Sequence, residues 1–273
     1  MTKDITLVAI EFQWHDLTRY AIERSLENID PKEIVIISDQ EILPGARHIQ
    51  HDPVANLAEY AKIMTIGVGE HVNTEHALYV QWDGIANDRS LWSDDFLVHD
   101  YIGAVWPWEP AGRNVGNGGF SLRSKRFLDA CANDTVKLGA DKTYLYEDKL
   151  LCNDLRPYME ETYGIRYAPA TVAQQFSFEL GKHVPSFGFH GLWNVFNLMT
   201  DADMDYFMTR IDYKGWNHFK WHHVLAAVLR RERYDIYEYM VNQLTEHNPE
   251  LLEAVASWIE RDGNLANSPI NID

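Results

Sequence analysis

The sequence predicts an α/β fold in which a mixed, mostly parallel sheet is flanked by helices and followed by a C-terminal α-helical appendage. Apolar runs of strand length alternate with helical periodicities up to about residue 192, which is the pattern of a parallel sheet with crossover helices. Beyond that point the strand pattern stops, and helical periodicities follow one another. We therefore expect an α/β domain at 1–195 and a helical appendage at 196–273.

The first βαβ unit is predicted at the N-terminus. Residues 5–10 form a near-continuous apolar run, which is typical of a strand that is buried on both faces. A helical periodicity follows and stops at Asp30-Pro31, and residues 33–39 then form a second strand that ends in Ser38 and Asp39. A right-handed crossover places Asp39 at the edge of the sheet where such folds bind ligands.

The remaining elements have shorter signals. Further strands are predicted at 47–51, 77–81, 101–106 and 120–122. Helices are predicted from apolar residues at helical spacing, namely Leu57, Ala61 and Met64, then Phe127, Leu128 and Cys131, then Leu150, Leu151 and Leu155. The appendage has three such patterns, namely Val224, Leu225, Val228 and Leu229, then Ile236, Met240, Val241 and Leu244, then Leu251, Leu252, Val255 and Ile259. Because these stripes exceed what a short tail needs, we expect an oligomer interface or acceptor platform here, and a loosely ordered tail at 263–273.

The composition argues against several classes of protein. The chain has 273 residues, with 41 acidic and 24 basic side chains and a formal net charge of −17, which disfavours sequence-independent binding of nucleic acid or anionic lipid. No apolar stretch is long enough to cross a bilayer and no secretory signal is evident, so we expect a cytoplasmic protein. Cys131 and Cys152 lack CxxC spacing, which excludes a disulfide framework and a Cys-type zinc site.

The first motif whose side chains could bind a ligand or take part in catalysis is Gln81-Trp82-Asp83-Gly84, at the end of a predicted buried strand. A carboxylate there is costly unless it is hydrogen-bonded, exposed at the ligand edge or bound to a cation. An Asp followed by Gly is also a common turn, so both interpretations stay open.

The second motif is the glycine-rich segment 114–123. Gly116, Gly118 and Gly119 allow backbone conformations that let the main chain approach a ligand closely, although a turn that leads into a strand would look the same. The segment does not match the usual mononucleotide or dinucleotide patterns. The preceding Trp106-Pro107-Trp108 favours a binding loop, because sugar rings stack on aromatic faces, or else belongs to the core.

The third motif is Tyr146-Glu147-Asp148-Lys149, at the predicted start of a helix. Acidic residues in a first helical turn are stabilised by the helix dipole, which is the simplest explanation of the pair. The functional alternative is a carboxylate general base at a cleft.

The fourth motif is the segment 187–191, in which His190 is flanked by aromatic residues and glycines. His190 is either a core imidazole or a metal ligand, and Asp, His and diphosphate oxygens together suit Mn²⁺ or Mg²⁺ better than zinc. A later cluster of His218, His222 and His223 lacks a nearby acidic base and is interpreted as solvated or interfacial.

In this order, the four motifs resemble those of glycosyltransferases with the GT-A fold. More closely, they resemble a bacterial family of unknown function that is described as glycosyltransferase-like, with QWDG, GNGGFSLRS, EDxxxC and FGFHG segments. These stand here at 81–84, 116–124, 147–152 and 187–191, and the resemblance spans roughly 5–193. It implies a GT-A-like, Rossmann-type sheet.

The resemblance also implies roles for single residues. Asp83 stands where the last Asp of the DxD motif holds a divalent cation, Mn²⁺ or Mg²⁺, and His190 matches a late His of the metal shell. Gln81 replaces the first Asp of that motif and is able to hydrogen-bond a ribose. Gly118 and Gly119 match the loop beside the transferred sugar. Asp39 is a candidate contact for the nucleoside. Because a protein this acidic must offset its repulsion of an anionic donor locally, Arg113 and Arg123 are candidate cations near the donor.

The implied activity is the transfer of a sugar from a nucleoside diphosphate donor, with a UDP-sugar favoured, to a saccharide or other acceptor hydroxyl. Asp148 or Glu147 matches the acidic pair that supplies the base of inverting enzymes, and we expect inversion with Asp148 as the base. Three alternatives stay open: a sugar nucleotidyltransferase, a catalytically silent nucleotide-sugar or carbohydrate-binding protein, and a metal-dependent hydrolase. The first usually has a basic glycine-rich loop after strand one, which residues 11–15 do not resemble.

Overall fold

The computed structural model describes residues 3–133, 146–181, 183–211 and 221–253. These residues divide into two compact units between His190 and Gly191. The boundary expected at residue 195 falls inside a helix, Leu192–Leu198, and the division comes before that helix.

The first unit is built on a central sheet. The strands of the whole unit are β1 (Lys3–Glu11), β2 (Pro31–Ser38), β3 (Arg47–Gln50), β4 (His76–Val80), β5 (Gly84–Ala86), β6 (Tyr101–Ile102), β7 (Ala104–Val105), β8 (Val115–Gly116), β9 (Phe120–Ser124), β10 (Ser177–Phe178) and β11 (Gly188–His190). Within the described ranges, six of them form the central sheet in the order β3-β2-β1-β4-β9-β6. β1 is parallel to β2 and β4, and β2 is parallel to β3, whereas β9 is antiparallel to β4 and β6. The predicted mixed, mostly parallel sheet is confirmed.

Helices connect these strands. They are α1 (His15–Leu26), α2 (Leu57–Lys62), α3 (Lys125–Asn133), α4 (Glu147–Lys149), α5 (Arg156–Tyr163) and α6 (Ala170–Phe176). α2 and α4 each continue as a π-helical turn, Ile63–Gly67 and Leu150–Asp154. The strand predicted at 101–106 is divided into β6 and β7 at Gly103, where a side chain would overlap the carbonyl oxygen of Gly116.

Apolar side chains cover the sheet and form the core of this unit. Ile5, Leu7 and Val8 of β1 are completely buried, as expected for a strand with parallel neighbours on both sides. Burying each such side chain contributes about 1.5–3 kcal/mol to the free energy of unfolding. Cys131 and Cys152 are both buried in this core, which agrees with their interpretation as core thiols.

The strand order brings distant parts of the chain to one edge of the sheet. The carboxyl ends of the parallel strands β1, β2 and β4 lie at this edge: β1 ends at Glu11, and β2 and β4 are followed by Asp39 and Gln81. Because β9 runs antiparallel, its first residue Phe120 pairs with Val80, the last residue of β4. The glycine-rich segment before β9 therefore lies at the same edge as Gln81.

A small sheet brings the late histidine to the same place. β11 pairs antiparallel with β5, so that His190 stands opposite Gly84, directly after Asp83. β10 pairs in parallel with β11, with Phe178 opposite Phe189, and the next residue along the chain is Glu179.

The second unit contains α7 (Leu192–Leu198), α8 (Asp201–Met208), α9 (Trp221–Arg230) and α10 (Tyr234–His247). Two of the predicted apolar stripes lie in α9 and α10, which pack against each other. The third stripe lies outside the described residues at Val255 and Ile259, as do His218 and the tail at 263–273. None of the described helices has the length and apolar character that a membrane crossing requires.

Candidate active site

The site begins with a buried contact between Asp83 and His190. The Nε2 atom of His190 lies 3.4 Å from Oδ1 of Asp83, and its Nδ1 atom lies 3.5 Å from Oε1 of Glu179. Burial alone would lower the pKa of the His190 imidazole, but the carboxylates of Asp83 and Glu179 outweigh that effect and raise the pKa to about 10. The structure thus joins Asp83 and His190, as the resemblance implies, and adds Glu179.

Asn117 holds the glycine turn against His190. Its Oδ1 atom accepts hydrogen bonds from the backbone N–H of Gly119 at 2.9 Å and of Phe120 at 3.3 Å, and its Nδ2 atom lies 2.8 Å from Nδ1 of His190. The backbone of Asn117 has a φ of 70°, a conformation that Asn tolerates better than most residues. Neither Asn117 nor Glu179 was predicted as a site residue, although an Asn between glycines is a turn signal and Glu179 follows an apolar strand.

Gly118 and Gly119 leave no room for a side chain. A Cβ atom at Gly119 would overlap the imidazole of His190, and one at Gly118 would overlap the carboxylate of Glu147. The backbone N–H of Gln81 donates to the carbonyl oxygen of Gly119 at 3.0 Å. The turn is therefore packed tightly between the strand end of β4, His190 and the acidic pair.

Asp148 lies against this turn from the other side. Its Oδ2 atom accepts a hydrogen bond from the backbone N–H of Gly118 at 3.3 Å, and its Oδ1 atom accepts one from Lys149 at 2.7 Å. Burial and then the negative charge of Glu147 raise the pKa of the Asp148 carboxyl to about 7, with a further contribution from Glu179. A carboxylate with this pKa is suited to accept a proton near neutral pH.

Glu147 and Arg123 form an internal ion pair instead of facing a ligand. Nη2 of Arg123 donates to Oε1 of Glu147 at 3.1 Å, and the Arg123 side chain is completely buried. The prediction that Arg123 contacts a donor is therefore corrected, because its side chain has no exposed surface and is paired with Glu147. Glu147 is buried with it, which leaves Asp148 as the more accessible carboxylate of the pair.

Asp39 and Gln81 lie at the carboxyl ends of β2 and β4. Oδ1 of Asp39 lies 2.7 Å from Nε2 of His15, and both side chains are partly exposed. The Nε2 atom of Gln81 donates to the hydroxyl of Tyr60 at 2.9 Å. Asp39 and Gln81 therefore stand at the carboxyl edge of the sheet.

Glu11 fills the turn that follows β1. Its Oε1 atom accepts hydrogen bonds from three consecutive backbone N–H groups, those of Phe12, Gln13 and Trp14, and its Oε2 atom accepts one from Thr18 at 2.6 Å. Consecutive backbone N–H groups are a common anion site, and here the protein's own carboxylate occupies it. This turn is consequently not available to a phosphate.

Several aromatic rings lie in the segments that carry the motifs. The rings of Trp14 and Trp82 have centroids 5.6 Å apart, and those of Trp106 and Trp108 are stacked at 6.3 Å. Trp106 is buried against Gly116, whereas 57% of Trp108 is exposed, as is 58% of Tyr146 before the acidic pair. Trp108 precedes the glycine turn in the sequence, and Tyr146 directly precedes Glu147.

The Asp83–His190 pair has the donor chemistry that a divalent cation needs. A carboxylate oxygen and a neutral imidazole nitrogen suit Mn²⁺ or Mg²⁺, so a cation here would have to displace the His190 proton, and Glu179 places another carboxylate beside His190. Within the described part of the chain, no group of three or more His, Cys, Asp or Glu side chains has the spacing to hold a metal ion alone. A cation at this position would take further oxygens from a bound diphosphate, as Mg²⁺ commonly does.

Among solved structures, the chain is similar to a glycosyltransferase involved in the glycosylation of the major capsid of PBCV-1. The sequences are 13% identical with a TM-score of 0.45, and the match covers 76% of this chain and 99% of that one. The galactosyltransferase LgtC, in complex with donor and acceptor sugar analogues, is 13% identical with a TM-score of 0.46 over 74% of this chain and 94% of that one. An active-site mutant of LgtC gives the same values. No curated protein sequence matches the chain.

A family model described as a protein of unknown function (DUF5672) matches residues 46–190, which is more than half of the chain. The matched region contains the strand end at 81–84, the glycine turn, the acidic pair and His190. The chain therefore belongs to the DUF5672 family of proteins of unknown function.

Proposed function

We propose that this protein is a glycosyltransferase that moves a sugar from a nucleoside diphosphate donor, with a UDP-sugar favoured, to an acceptor hydroxyl. The observation that carries the proposal is the glycine turn, which contacts Asp148 on one side and the Asp83–His190 pair on the other. A proton-accepting carboxylate and a site suited to a diphosphate thus meet at one backbone turn. The motif resemblance supports the same reaction.

Asp148 acts as the general base. An acceptor hydroxyl is a poor nucleophile at neutral pH, and a carboxylate that removes its proton as the bond forms lowers the barrier. Because the pKa of Asp148 is about 7, a substantial fraction of the carboxyl is deprotonated at that pH while remaining a competent base. Direct attack by the hydroxyl, on the face of the sugar opposite the leaving diphosphate, inverts the anomeric centre.

Asp83, His190 and the donor diphosphate would together hold a Mn²⁺ or Mg²⁺ ion, which would neutralise the charge that develops on the leaving diphosphate. Gly119 keeps the turn close enough for its backbone to lie beside the transferred sugar, since a side chain there would collide with His190. In this proposal Asp39 and Gln81 contact the nucleoside.

The acceptor in this proposal is a saccharide. The exposed face of Trp108, stacked on the buried Trp106, and the exposed ring of Tyr146 provide apolar surfaces close in sequence to the turn and the base. Aromatic rings with one apolar face and one wet edge are suited to stack on sugar rings.

A sugar nucleotidyltransferase is less compatible with the turn after β1. Such an enzyme usually carries a basic glycine-rich loop there, which residues 11–15 do not resemble. Here the Glu11 carboxylate takes up the backbone N–H groups of Phe12, Gln13 and Trp14.

The proposal is tested with a panel of nucleoside diphosphate sugars, each incubated with Mn²⁺ and with or without a mixture of oligosaccharides. We expect release of nucleoside diphosphate that increases when the saccharides are present, together with a saccharide product whose mass has increased by one sugar unit. Saturable donor binding without release would instead identify a binding protein. Release of free sugar that saccharides do not redirect would identify a hydrolase.

A further inference from the structure

Arg123 is a completely buried cation that makes contacts in several directions. Its Nη1 atom donates to the carbonyl oxygen of Met64, its Nε atom to Oγ of Ser121 and its Nη2 atom to Oε1 of Glu147, each at 3.1 Å. The guanidinium carbon lies 3.9 Å from the ring centroid of Tyr79 and 5.4 Å from that of Tyr101. Burying a guanidinium costs free energy unless its donor groups are paired, so a buried and paired Arg123 indicates a specific role.

One arm of this arrangement leads to the glycine turn. Ser121, which accepts from Arg123, donates through the same hydroxyl to the carbonyl oxygen of Gly118 at 3.2 Å. Because the backbone N–H of Gly118 donates to Asp148, the orientation of the Gly118 peptide units depends on both contacts.

The other arm leads to the acidic pair. Glu147 is the first residue of α4, and no side chain caps the start of this helix. The ion pair with Arg123 therefore holds the first helical turn in place, with Asp148 as its next residue. Arg123 is thus connected to both partners of the hydrogen bond between Gly118 and Asp148, through Ser121 on one side and Glu147 on the other.

We propose that Arg123 is a positioning residue, which fixes the proposed base Asp148 against the Gly118 amide by holding Ser121 with one nitrogen and Glu147 with another. This inference rests on the proposed function for the role of Asp148, but the arrangement itself concerns only contacts within the protein. Lys cannot replace Arg in it, because a single ammonium lacks the planar fork that reaches both partners at once.

The test measures the pKa of the Asp148 carboxyl by carbon-13 NMR titration of the full chain, in wild type and in the variants Arg123→Lys and Glu147→Gln. The Asp148 signal is assigned as the one that disappears in Asp148→Asn. The groups that interact with this carboxyl are the Glu147 and Glu179 carboxylates, the Tyr101 hydroxyl, the Cys152 thiol and the backbone N–H groups of Gly118 and Lys149. Loss of the Gly118 hydrogen bond in Arg123→Lys removes a contact that favours the carboxylate, so the pKa of Asp148 is expected to rise. In Glu147→Gln a like charge disappears while an acceptor for Arg123 remains, so the pKa is expected to fall.

The matched control is Arg126→Lys. Arg126 lies at the start of α3 and forms an ion pair with Asp100. This substitution should leave the Asp148 titration unchanged. If Arg123→Lys does not fold, Ser121→Ala breaks the same arm with a smaller change and is expected to raise the pKa in the same direction. A titration of Asp148 that is identical to wild type in the folded variant overturns the proposal.

A second readout uses turnover of the donor identified by the panel. A displaced base should lower kcat by up to about 10²-fold, the cost of a misplacement of about 1 Å, with little change in KM for the donor. Because the NMR measurement needs no substrate, it tests the positioning role of Arg123 even if the protein does not transfer sugar. A shifted titration without transfer would leave the arrangement standing and reject the proposed reaction.

Discussion

Asp148 and Glu147 are neighbours in the chain with different environments. Glu147 is paired with a buried guanidinium, whereas Asp148 accepts hydrogen bonds from backbone N–H groups and faces like charges. The two carboxylates are therefore separated in function by environment rather than by residue type. Such separation is a feature of sites where one group acts as a base.

The substitution Asp148→Asn should lower kcat by about 10²- to 10⁴-fold, the usual contribution of a general base. Donor affinity, measured by calorimetry, should change little, since Asp148 does not belong to the Asp83–His190 pair. Asp129→Asn, at an exposed position on α3, is the matched control and should be fully active. Full activity of the Asp148 variant would contradict its role as the base.

The raised pKa of Asp148 also predicts how Asp148→Asn changes the stability of the protein. Because the pKa of Asp148 is raised from its ordinary value of 3.8 to about 7, the folded protein binds a proton that the unfolded chain releases in this range. The contribution of Asp148 to the free energy of unfolding therefore decreases as the pH rises through that window. Asp148→Asn should accordingly have a Tm at pH 8 no lower than that of wild type; a clearly lower value would contradict the unfavourable burial of this charge.

The pH dependence of the reaction follows from the same group. Only the deprotonated carboxyl of Asp148 accepts a proton, so kcat/KM should rise with pH and level off above about 7. In Glu147→Gln the midpoint should move to lower pH, because the neighbouring negative charge is lost. A profile that is flat between pH 5 and pH 8 would exclude Asp148 as the group that limits the rate.

Gly119→Ala tests the close packing of the turn. The added methyl group would overlap the His190 imidazole, and relieving such overpacking costs about 1–3 kcal/mol of the free energy of unfolding. We expect most transfer activity to be lost, because His190 or the turn must move. Gly69→Ala, where a Cβ atom meets its nearest neighbours at 3.4–3.6 Å, is the control and should retain activity. Equal activity of the two variants would show that the turn adapts.

At the scale of elements, short strands do more to assemble the site than the long ones. β5, β10 and β11 each have two or three residues, yet their pairing brings Asp83, Glu179 and His190 together. The long strands β1, β2 and β4 instead carry Glu11, Asp39 and Gln81 at their carboxyl ends. Sites built on a sheet edge in this way are held more rigidly than sites built on loops alone.

The segment that carries Trp108 gives a prediction at this scale. Trp108→Ala should raise KM for the saccharide acceptor about fivefold, since an aromatic stacking contact contributes about 1 kcal/mol. Acceptor-independent release of nucleoside diphosphate should stay unchanged, and Trp108→Phe should restore most of the acceptor affinity. An unchanged KM in the alanine variant would place the acceptor elsewhere.

At the scale of the whole molecule, the net charge of −17 bears on the proposed binding of an anionic donor. The general field repels a diphosphate, and Arg123 does not offset it from the site because its charge is buried against Glu147. We therefore expect UDP to bind more tightly with Mn²⁺ than with EDTA in calorimetry, and Asp83→Asn to abolish that difference. Equal affinity in the two buffers for wild type would remove the metal role.

Local patterns were sufficient for much of the first unit. The apolar runs predicted β1, β2 and β4 with the polar residues at their ends, because the alternation of strand and helix is recorded in neighbouring residues. The glycine-rich turn and the acidic helix start were predicted for the same reason. The role of the second unit as an oligomer interface or acceptor platform stays a prediction.

Other features depend on residues that are far apart in the chain. Glu179 joins His190 only because β10 pairs with β11, and Asn117 contacts the same ring only when the glycine turn folds over it. In the sequence, Arg123 looks like a cation for the donor, and its burial follows from Tyr79, Met64 and Glu147 closing around it. Apolar periodicity determines which segments form strands and helices, whereas pairing and packing over long separations decide which charged groups face a ligand and which hold the site together.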